Sequence, residues 1–229
     1  MEFLDNVGKN RLGDALGASI GRDARLSIIS SYFTVFAYDE LKEELSRVDA
    51  VRFLFSEPTF VKRMAADKDP REFELARRSR ERGVGGTGLE LTLRNNLNQR
   101  AIARECAEWV RAKCEFRSAK TPGAIQPGGT YVVENPEGCD HAFMGASAAF
   151  TQEGLGYERR PGTVTGVSHF EGASEASGLK AMFESVWDNP AMVEDVTDEV
   201  ATQVETLYRE TPPPNLYTSS RSTICSVII

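Results

Sequence analysis

The sequence predicts an α/β fold, in which helices pack on a sheet, and three observations point to it. The run RLSIISS at residues 25–31 is rich in β-branched residues and continues into YFTVF, so we expect a central strand over 25–36. AYDELKEELSRV then places Leu41, Leu45 and Val48 at helical spacing among charged residues, and VRFLF at 51–55 returns to an apolar run. A crossover of this length between two strands implies parallel pairing and therefore an α/β architecture.

The composition is that of a globular protein with a sizeable core. Of the 229 residues, 41% are hydrophobic and 27% are charged, and at this length roughly 70% of the unfolded chain's surface becomes buried. The formal net charge of −7 repels phosphate, so any contact with nucleic acid depends on a local basic patch. No secretory signal and no stretch of ~18 apolar residues is visible, so we expect a cytoplasmic protein without a membrane partner.

The middle of the chain predicts two helices with a glycine-rich loop between them. Residues 70–82 form a charged helix, for which the simplest interpretation is a solvated face. The sharper hypothesis is that its four arginines form the basic patch for DNA or RNA: Arg77, Arg78, Arg80 and Arg82. GVGGTG follows a helix rather than a strand, so we interpret it as a surface loop and not as a nucleotide site. Residues 95–113 predict an amphipathic helix whose inward side chains are Leu97, Ala101, Ile102, Cys106, Trp109 and Val110.

The second half of the chain predicts short strands and then two helices. CEFRSAK, TYVVE and HAFMG are strands, TPGAIQPGG is a loop, and TVTGVSHF at 163–170 is an edge strand. Helices follow at 177–187 and at 192–208, where one stripe contains Val193, Val196, Val200, Val204 and Leu207. Three prolines at 212–214 end the second helix. We therefore expect a domain at 1–190, a helix packed on it at 191–211, and a linker or truncated continuation at 212–229.

The residues taken singly supply few candidates for catalysis. The four cysteines show no C-x-x-C pair, and only His141 and His169 could join them as imidazole ligands, so we expect no metal and no cofactor. We interpret His141 and His169 as strand residues that bond to backbone carbonyls. Tyr32, Phe33 and Phe36 are interpreted as core residues rather than as a platform for stacking bases.

Several longer segments together resemble a known family. LSIISSYFTVFAYDELKEEL, VRFLFSEPTFV, QRAIARECAEWVRAKCEFRS and FESVWDNPAMVEDV follow one another between Leu26 and Tyr208. They resemble the phospholipase D-like domain that precedes the motor in a group of bacterial DEAD/DEAH and SNF2-type helicases. The resemblance implies that residues 1–190 form a mixed β-sheet sandwiched between helices. It also implies the motifs H-x-K-x-x-x-x-D and G-S-x-N, in which histidine attacks phosphorus and lysine neutralises the phosphate oxygens.

The nucleophile and lysine positions of this family's motif hold residues that lack its chemistry, whereas the aspartate position keeps a carboxylate. Anchored on Tyr131, the nucleophile position is Pro127, the lysine position is Gly129 and the aspartate position is Glu134. The second motif reads GASAAFTQEGL, which keeps Ser147 but has alanine in place of asparagine. The resemblance therefore implies a catalytically degenerate accessory domain that acts in nucleic-acid binding or self-association. Its other partner would be a helicase motor domain in the full-length protein.

Two alternatives stay open. An active metal-independent phosphodiesterase or nuclease would have to use His141, which lies 14 residues beyond Pro127 and has no lysine partner in the motif. A pure dimerisation scaffold would bind no ligand, and single-copy members of the family dimerise because one copy forms only half a site. Binding to DNA or RNA, turnover of a phosphodiester and self-association therefore separate the three hypotheses.

Overall fold

The structure, a computed structural model, describes residues 1–8, 10–58, 88–126, 128–158 and 165–209, and of residues 88–100, 173, 175 and 206–209 only the backbone. These ranges contain eight strands and six helices. The strands are β1 (Glu2–Leu4), β2 (Arg25–Ser30), β3 (Ala50–Phe55), β4 (Cys114–Ala119), β5 (Gly129–Glu134), β6 (His141–Gly145), β7 (Val167–Glu171) and β8 (Val193–Asp195). The helices are α1 (Leu12–Ser19), α2 (Val35–Leu45), α3 (Gly88–Lys113), α4 (Gln152–Leu155), α5 (Ala173–Trp187) and α6 (Thr197–Arg209).

All eight strands belong to one mixed sheet with the order β1-β7-β6-β5-β2-β3-β4-β8. Strands β2, β3 and β4 are parallel, and α2 and α3 provide the crossovers between them. The remaining neighbours in the sheet pair antiparallel. The predicted strand-helix-strand unit with parallel pairing is therefore confirmed, and the molecule has an α/β fold.

Helices cover both faces of the sheet. Side chains alternate between the two faces along each strand, so neighbouring residues of β2 pack in different clusters. On one face, Leu26 and Ile28 of β2 belong to the main core together with residues of α1, α2, α3, α4 and α6. On the other face, Ile29 packs in a second cluster with Phe183 and Trp187 of α5. Five rings lie at the centre of the main core with centroids 4.9–5.9 Å apart: Phe33, Phe53, Phe55, Phe116 and Phe150. None of the helices in the described ranges combines the length and the apolar character needed to cross a bilayer.

The strand predicted over 25–36 is wrong beyond Ser30, where β2 ends. Thr34 is the N-cap of α2, and its hydroxyl accepts a hydrogen bond of 3.2 Å from the backbone N–H of Ala37. This cap begins a helix within residues whose β-branched and aromatic character predicts a strand. As a result Phe33 is buried, as predicted, whereas Tyr32 and Phe36 are 54% and 37% exposed, so the core prediction is wrong for these two.

Three further predictions need correction. Strand β7 begins only at Val167 and is not at the edge, because β1 pairs with it on its outer side. The helix predicted at 192–208 begins at Thr197, whose backbone N–H donates to the carboxylate of Asp195, and residues 193–195 form β8 beside β4. The segment 191–211 thus contributes a strand as well as a helix. Ala101 is exposed on α3 rather than inward, and residues 212–229 lie outside the described ranges.

Candidate functional site

The two segments predicted to hold the family's motifs are adjacent at one edge of the sheet. The parallel strands β2, β3 and β4 end at this edge, at Ser30, Phe55 and Ala119, and we call it the carboxyl edge. Strand β5 begins there, and the register places Gly129 opposite Gly145, the last residue of β6. In open α/β sheets, ligands bind outside the carboxyl ends of the parallel strands. The carboxyl edge is therefore the first candidate site.

The lysine position of the first motif has no room for a side chain. A Cβ atom added to Gly129 would lie 1.6 Å from the carbonyl oxygen of Ala148 and 2.9 Å from the Ala148 Cβ. The buried hydroxyl of Tyr131 donates a hydrogen bond of 2.6 Å to the same carbonyl and holds it in position. Glycine at position 129 is therefore a packing requirement, since backbone of the second motif segment fills the space that a lysine would need.

Of the other predicted motif positions, Ser147 lies near Gly129 and Glu134 does not. Ser147 lies in the turn after β6, one residue before Ala148, and is exposed. Glu134 lies at the opposite end of β5 from Gly129 and on the opposite face, because five residues along a strand reverse the side-chain direction. There the Glu134 carboxylate pairs with Lys180 and, at 3.5 Å, with Arg52. The structure thus brings Gly129 and Ser147 together and places Glu134 elsewhere, while Pro127 lies outside the described residues.

Buried serine hydroxyls connect the strands to the turns at the carboxyl edge. Among the described residues, the three serines with 0% exposure are Ser30, Ser56 and Ser118. The Ser30 hydroxyl donates to the carbonyl of Tyr32 at 2.8 Å and accepts from the backbone N–H of Phe150 at 2.9 Å. Because Phe150 belongs to the second motif segment, this hydroxyl attaches that segment to the central strand. The sequence analysis did not predict this role, because the spacing of Ser30 and Phe150 in the sequence does not indicate that they are in contact.

Two exposed aromatic side chains flank the N-terminus of α2 at the same edge. Tyr32 precedes the helix, and Phe36 lies on its solvent side while its neighbours Val35, Ala37 and Tyr38 are buried. Exposed rings of this kind provide flat apolar surfaces on which nucleobases stack. The only signal in the sequence was the aromatic run itself, which has the same appearance whether its rings face the core or solvent.

The chain's two histidines contact each other at the end of the sheet opposite the carboxyl edge. His141 Nδ1 lies 3.1 Å from His169 Nε2, and His169 Nδ1 lies 3.5 Å from a carboxylate oxygen of Glu2. The ring of Phe143 stacks on His169 with centroids 4.3 Å apart. The expected bonds to backbone carbonyls are therefore wrong: the imidazoles bond each other. The register places His141 opposite Val133, four residues along β5 from Gly129, or about 13 Å at ~3.3 Å per residue.

The environment of His141 favours its neutral form. Burial lowers the pKa of His141, and the neighbouring His169 lowers it further, whereas Glu171 and Asp140 oppose the shift. A neutral His141 can take part in the hydrogen bond with His169, because a neutral imidazole donates from one nitrogen and accepts at the other.

The described residues hold no group of three His, Cys, Asp or Glu side chains placed to bind a metal ion. Burial raises the pKa of the Cys106 and Cys114 thiols, so both stay protonated at neutral pH and are poor nucleophiles. Cys139 is exposed in the turn before β6. These thiols therefore add no chemistry to the carboxyl edge.

The predicted nucleic-acid patch lies outside the described residues, which applies to Arg77, Arg78, Arg80 and Arg82 and to GVGGTG up to its last glycine. Within the described residues, cationic side chains line a groove of about 510 Å³ at the opposite end of the sheet. It is lined by Arg22, Asp23, Ser46, Arg47, Val48, Asp49 and Lys113. The Lys113 ammonium donates to the carbonyls of Ser46 and Val48 and so caps the end of α2. With two aspartates beside the arginines, this groove is not a concentrated anion site.

The resemblance to phospholipase D-like domains stays a prediction from the sequence. The carboxyl edge has exposed aromatic rings and a closed lysine position as its distinctive features. No protein-family model matches this chain, and no curated protein matches it.

Proposed function

We propose that this chain is a catalytically degenerate phospholipase D-like module that acts by binding nucleic acid, as an accessory domain of a helicase-type protein. The observation that carries the proposal is the closed position at Gly129, where a Cβ would lie 1.6 Å from the Ala148 carbonyl oxygen. Phosphodiester cleavage of the family's kind needs a nucleophilic imidazole and a cation beside the phosphate oxygens. With Pro127 and Gly129 at those positions, neither group is supplied, and the remaining role of the scaffold is recognition.

The exposed rings of Tyr32 and Phe36 support nucleic acid as the ligand, because stacking on aromatic side chains tolerates any base. Charge supports it as well. Residues 59–87, which follow β3 and its end at the carboxyl edge, contain eight Lys or Arg and five Asp or Glu, although the whole chain has a net charge of −7. A local excess of cations on an acidic protein is the arrangement that phosphate contacts require.

The test is salt-dependent binding of short fluorescent single-stranded DNA, duplex DNA and single-stranded RNA, followed by anisotropy. We expect binding that weakens as salt rises. Combined replacement of Arg77, Arg78 and Arg80 by alanine should reduce the salt slope by about 2–3, because each phosphate contact contributes close to one unit. Tyr32→Ser should weaken single-strand binding about tenfold and leave the salt slope unchanged, because stacking releases no counterions.

A matched control removes three exposed arginines elsewhere, Arg22, Arg47 and Arg104, with the same change in net charge. The proposal expects this variant to retain most of the affinity. Binding that is unaffected by the changes at 77, 78 and 80, or equally reduced by the control, would contradict the predicted patch. Absence of binding to all three nucleic acids at low salt would remove the proposed function.

Self-association is the other binding role that the degenerate module can have, and the helicase motor remains a proposed partner. Sedimentation velocity over a range of protein concentrations, with and without DNA, separates the roles. Dimerisation without any DNA-dependent change in sedimentation would favour a pure scaffold. A complex that forms only with DNA would favour the accessory binding role.

The contact between His141 and His169 favours one alternative activity, a metal-independent phosphodiesterase that uses His141. The Glu2 carboxylate contacts His169, which in turn contacts His141. Catalytic bases are oriented by neighbouring groups in a similar way. The alternative predicts turnover of bis(p-nitrophenyl) phosphate in EDTA that is lost in His141→Ala. We expect no EDTA-resistant turnover, because His141 lies at the end of the sheet remote from Gly129 and Ser147.

A further inference from the structure

We propose that Glu2, His169 and His141 form an acid-sensitive latch that holds the N-terminal strand β1 against the edge of the sheet. The contacts cross three neighbouring strands. A carboxylate oxygen of Glu2 on β1 lies 3.5 Å from Nδ1 of His169 on β7, and Nε2 of His169 lies 3.1 Å from Nδ1 of His141 on β6. Register pairs Glu2 directly with His169, so the side chains extend the backbone pairing of β1 and β7.

The latch tolerates one proton but not two. With both rings neutral, His141 can donate to His169, which in turn donates to the Glu2 carboxylate. With one added proton, His169 can donate from both nitrogens, to Glu2 and to His141, and every contact is kept. A second proton places an N–H on each of two nitrogens 3.1 Å apart, so that two donors and two positive charges face each other. The contact between the rings cannot survive this state.

The surroundings of the pair contain charged groups from several elements. Glu2 comes from β1, Glu171 from β7 and Asp140 from the turn that precedes β6. On β5 the residue opposite His141 is the apolar Val133, and from α5 Lys180 interacts electrostatically with Asp140. The carboxylates favour the first proton. They do not remove the donor-to-donor conflict of the second, because that conflict arises between the ring nitrogens themselves.

Release of the latch would detach β1 without unfolding the domain. Leu4 is the one buried side chain of β1, whereas Glu2 and Phe3 are exposed. Immediately after the strand, Asn6 is anchored, because its side-chain amide donates to the carbonyl of Gly154 at 3.1 Å and its side-chain oxygen accepts from the N–H of Leu12 at 2.7 Å. The chain would therefore open before Asn6, and β7 would become the edge of the sheet, available for pairing with another strand.

The test uses the fact that the chain has only two histidines, both in the latch. Two-dimensional ¹⁵N–¹H NMR of the imidazoles between about pH 7.5 and about pH 4.5 should show two coupled steps at least about one pH unit apart. Hydrogen exchange, corrected for the intrinsic rate, is measured over the same range for β1, with β2 as an internal reference. We expect the protection of β1 to fall about tenfold in the second step while β2 stays protected.

His141→Asn is the decisive variant, because the asparagine amide can take the place of Nδ1 beside His169 but does not titrate. In this variant the protection of β1 should change less than about twofold over the range, which also controls for titration of carboxylates. Independent titration of the two histidines would overturn the proposal. So would a second step that leaves β1 protected, or a loss of β1 protection that is equal in His141→Asn.

Discussion

Replacement of Gly129 by alanine tests the closed lysine position directly. The new Cβ would lie 1.6 Å from the carbonyl oxygen of Ala148, whereas real Cβ atoms keep at least 3.0 Å from such atoms. The Ala148 backbone must therefore move by more than about 1 Å, in a region where Tyr131 and Phe150 are fully buried. We expect the variant to be strongly destabilised and to retain its overall topology.

The magnitude follows from two terms. Overpacking of a well-packed core destabilises proteins by about 1–3 kcal/mol. The displaced carbonyl also loses its hydrogen bond with the Tyr131 hydroxyl, which leaves a buried donor without its partner and adds about 1–2 kcal/mol. Together these terms predict a decrease of about 2–5 kcal/mol in the free energy of unfolding.

The assay is urea denaturation followed by circular dichroism, and the matched control is Gly178→Ala. Nothing lies within 4 Å of a Cβ added at Gly178 in α5, so the control should be neutral or stabilising by up to about 1 kcal/mol. A Gly129→Ala protein whose free energy of unfolding is within about 0.5 kcal/mol of the wild type would refute the reasoning. It would show that the edge has room for a side chain and would remove the observation that carries the proposed function.

Three other measurements test the contacts of Tyr131, Arg52 and His141. Tyr131→Phe should lower the free energy of unfolding by about 1 kcal/mol, because the Ala148 carbonyl loses its buried donor while the ring remains in place. Arg52→Met should lower it by about 1–2 kcal/mol, since Glu134 loses a cation and the rings of α5 lose a guanidinium 5.0–5.9 Å from their centroids. For His141 the folded-state pKa lies below its unfolded value, so its stabilisation is complete above about pH 6.5 and is lost as pH falls through the folded pKa. Urea denaturation at about pH 7.5 and about pH 4.5 should show a larger acid-induced decrease in the free energy of unfolding for the wild type than for His141→Asn. An equal decrease in the two proteins would contradict the assignment of this pH dependence to His141.

Much of the fold could be predicted because its strongest signals are local. The apolar runs that become β3, β4 and β5 and the helical spacing of Leu41 and Leu45 identify elements without knowledge of their neighbours. The errors occurred where tertiary context overrides local character. Val193 has the spacing of a helical stripe but pairs with Ala119 in β8, and the three residues of β1 are too few to form a pattern before β7 supplies their partner.

The candidate site was predicted less completely, and the reason is geometric. The resemblance predicts that Gly129 and Ser147 belong to one site, and the two residues are adjacent because β5 pairs with β6. It also groups Glu134 with them, although the period of two along a strand turns this carboxylate to the opposite face. The separation of two residues along the sequence does not show whether their side chains lie on neighbouring strands and on the same face of the sheet.

The sequence by itself determined the α/β class, the parallel central unit and the absence of histidine and lysine from positions 127 and 129, since these depend on residue identity and short-range spacing. Only the tertiary structure decided that the space beside Gly129 is occupied by the Ala148 carbonyl and that His141 and His169, 28 residues apart, share a hydrogen bond. Both results depend on the register between strands, which is set by the packing of the whole sheet against its helices rather than by any one segment.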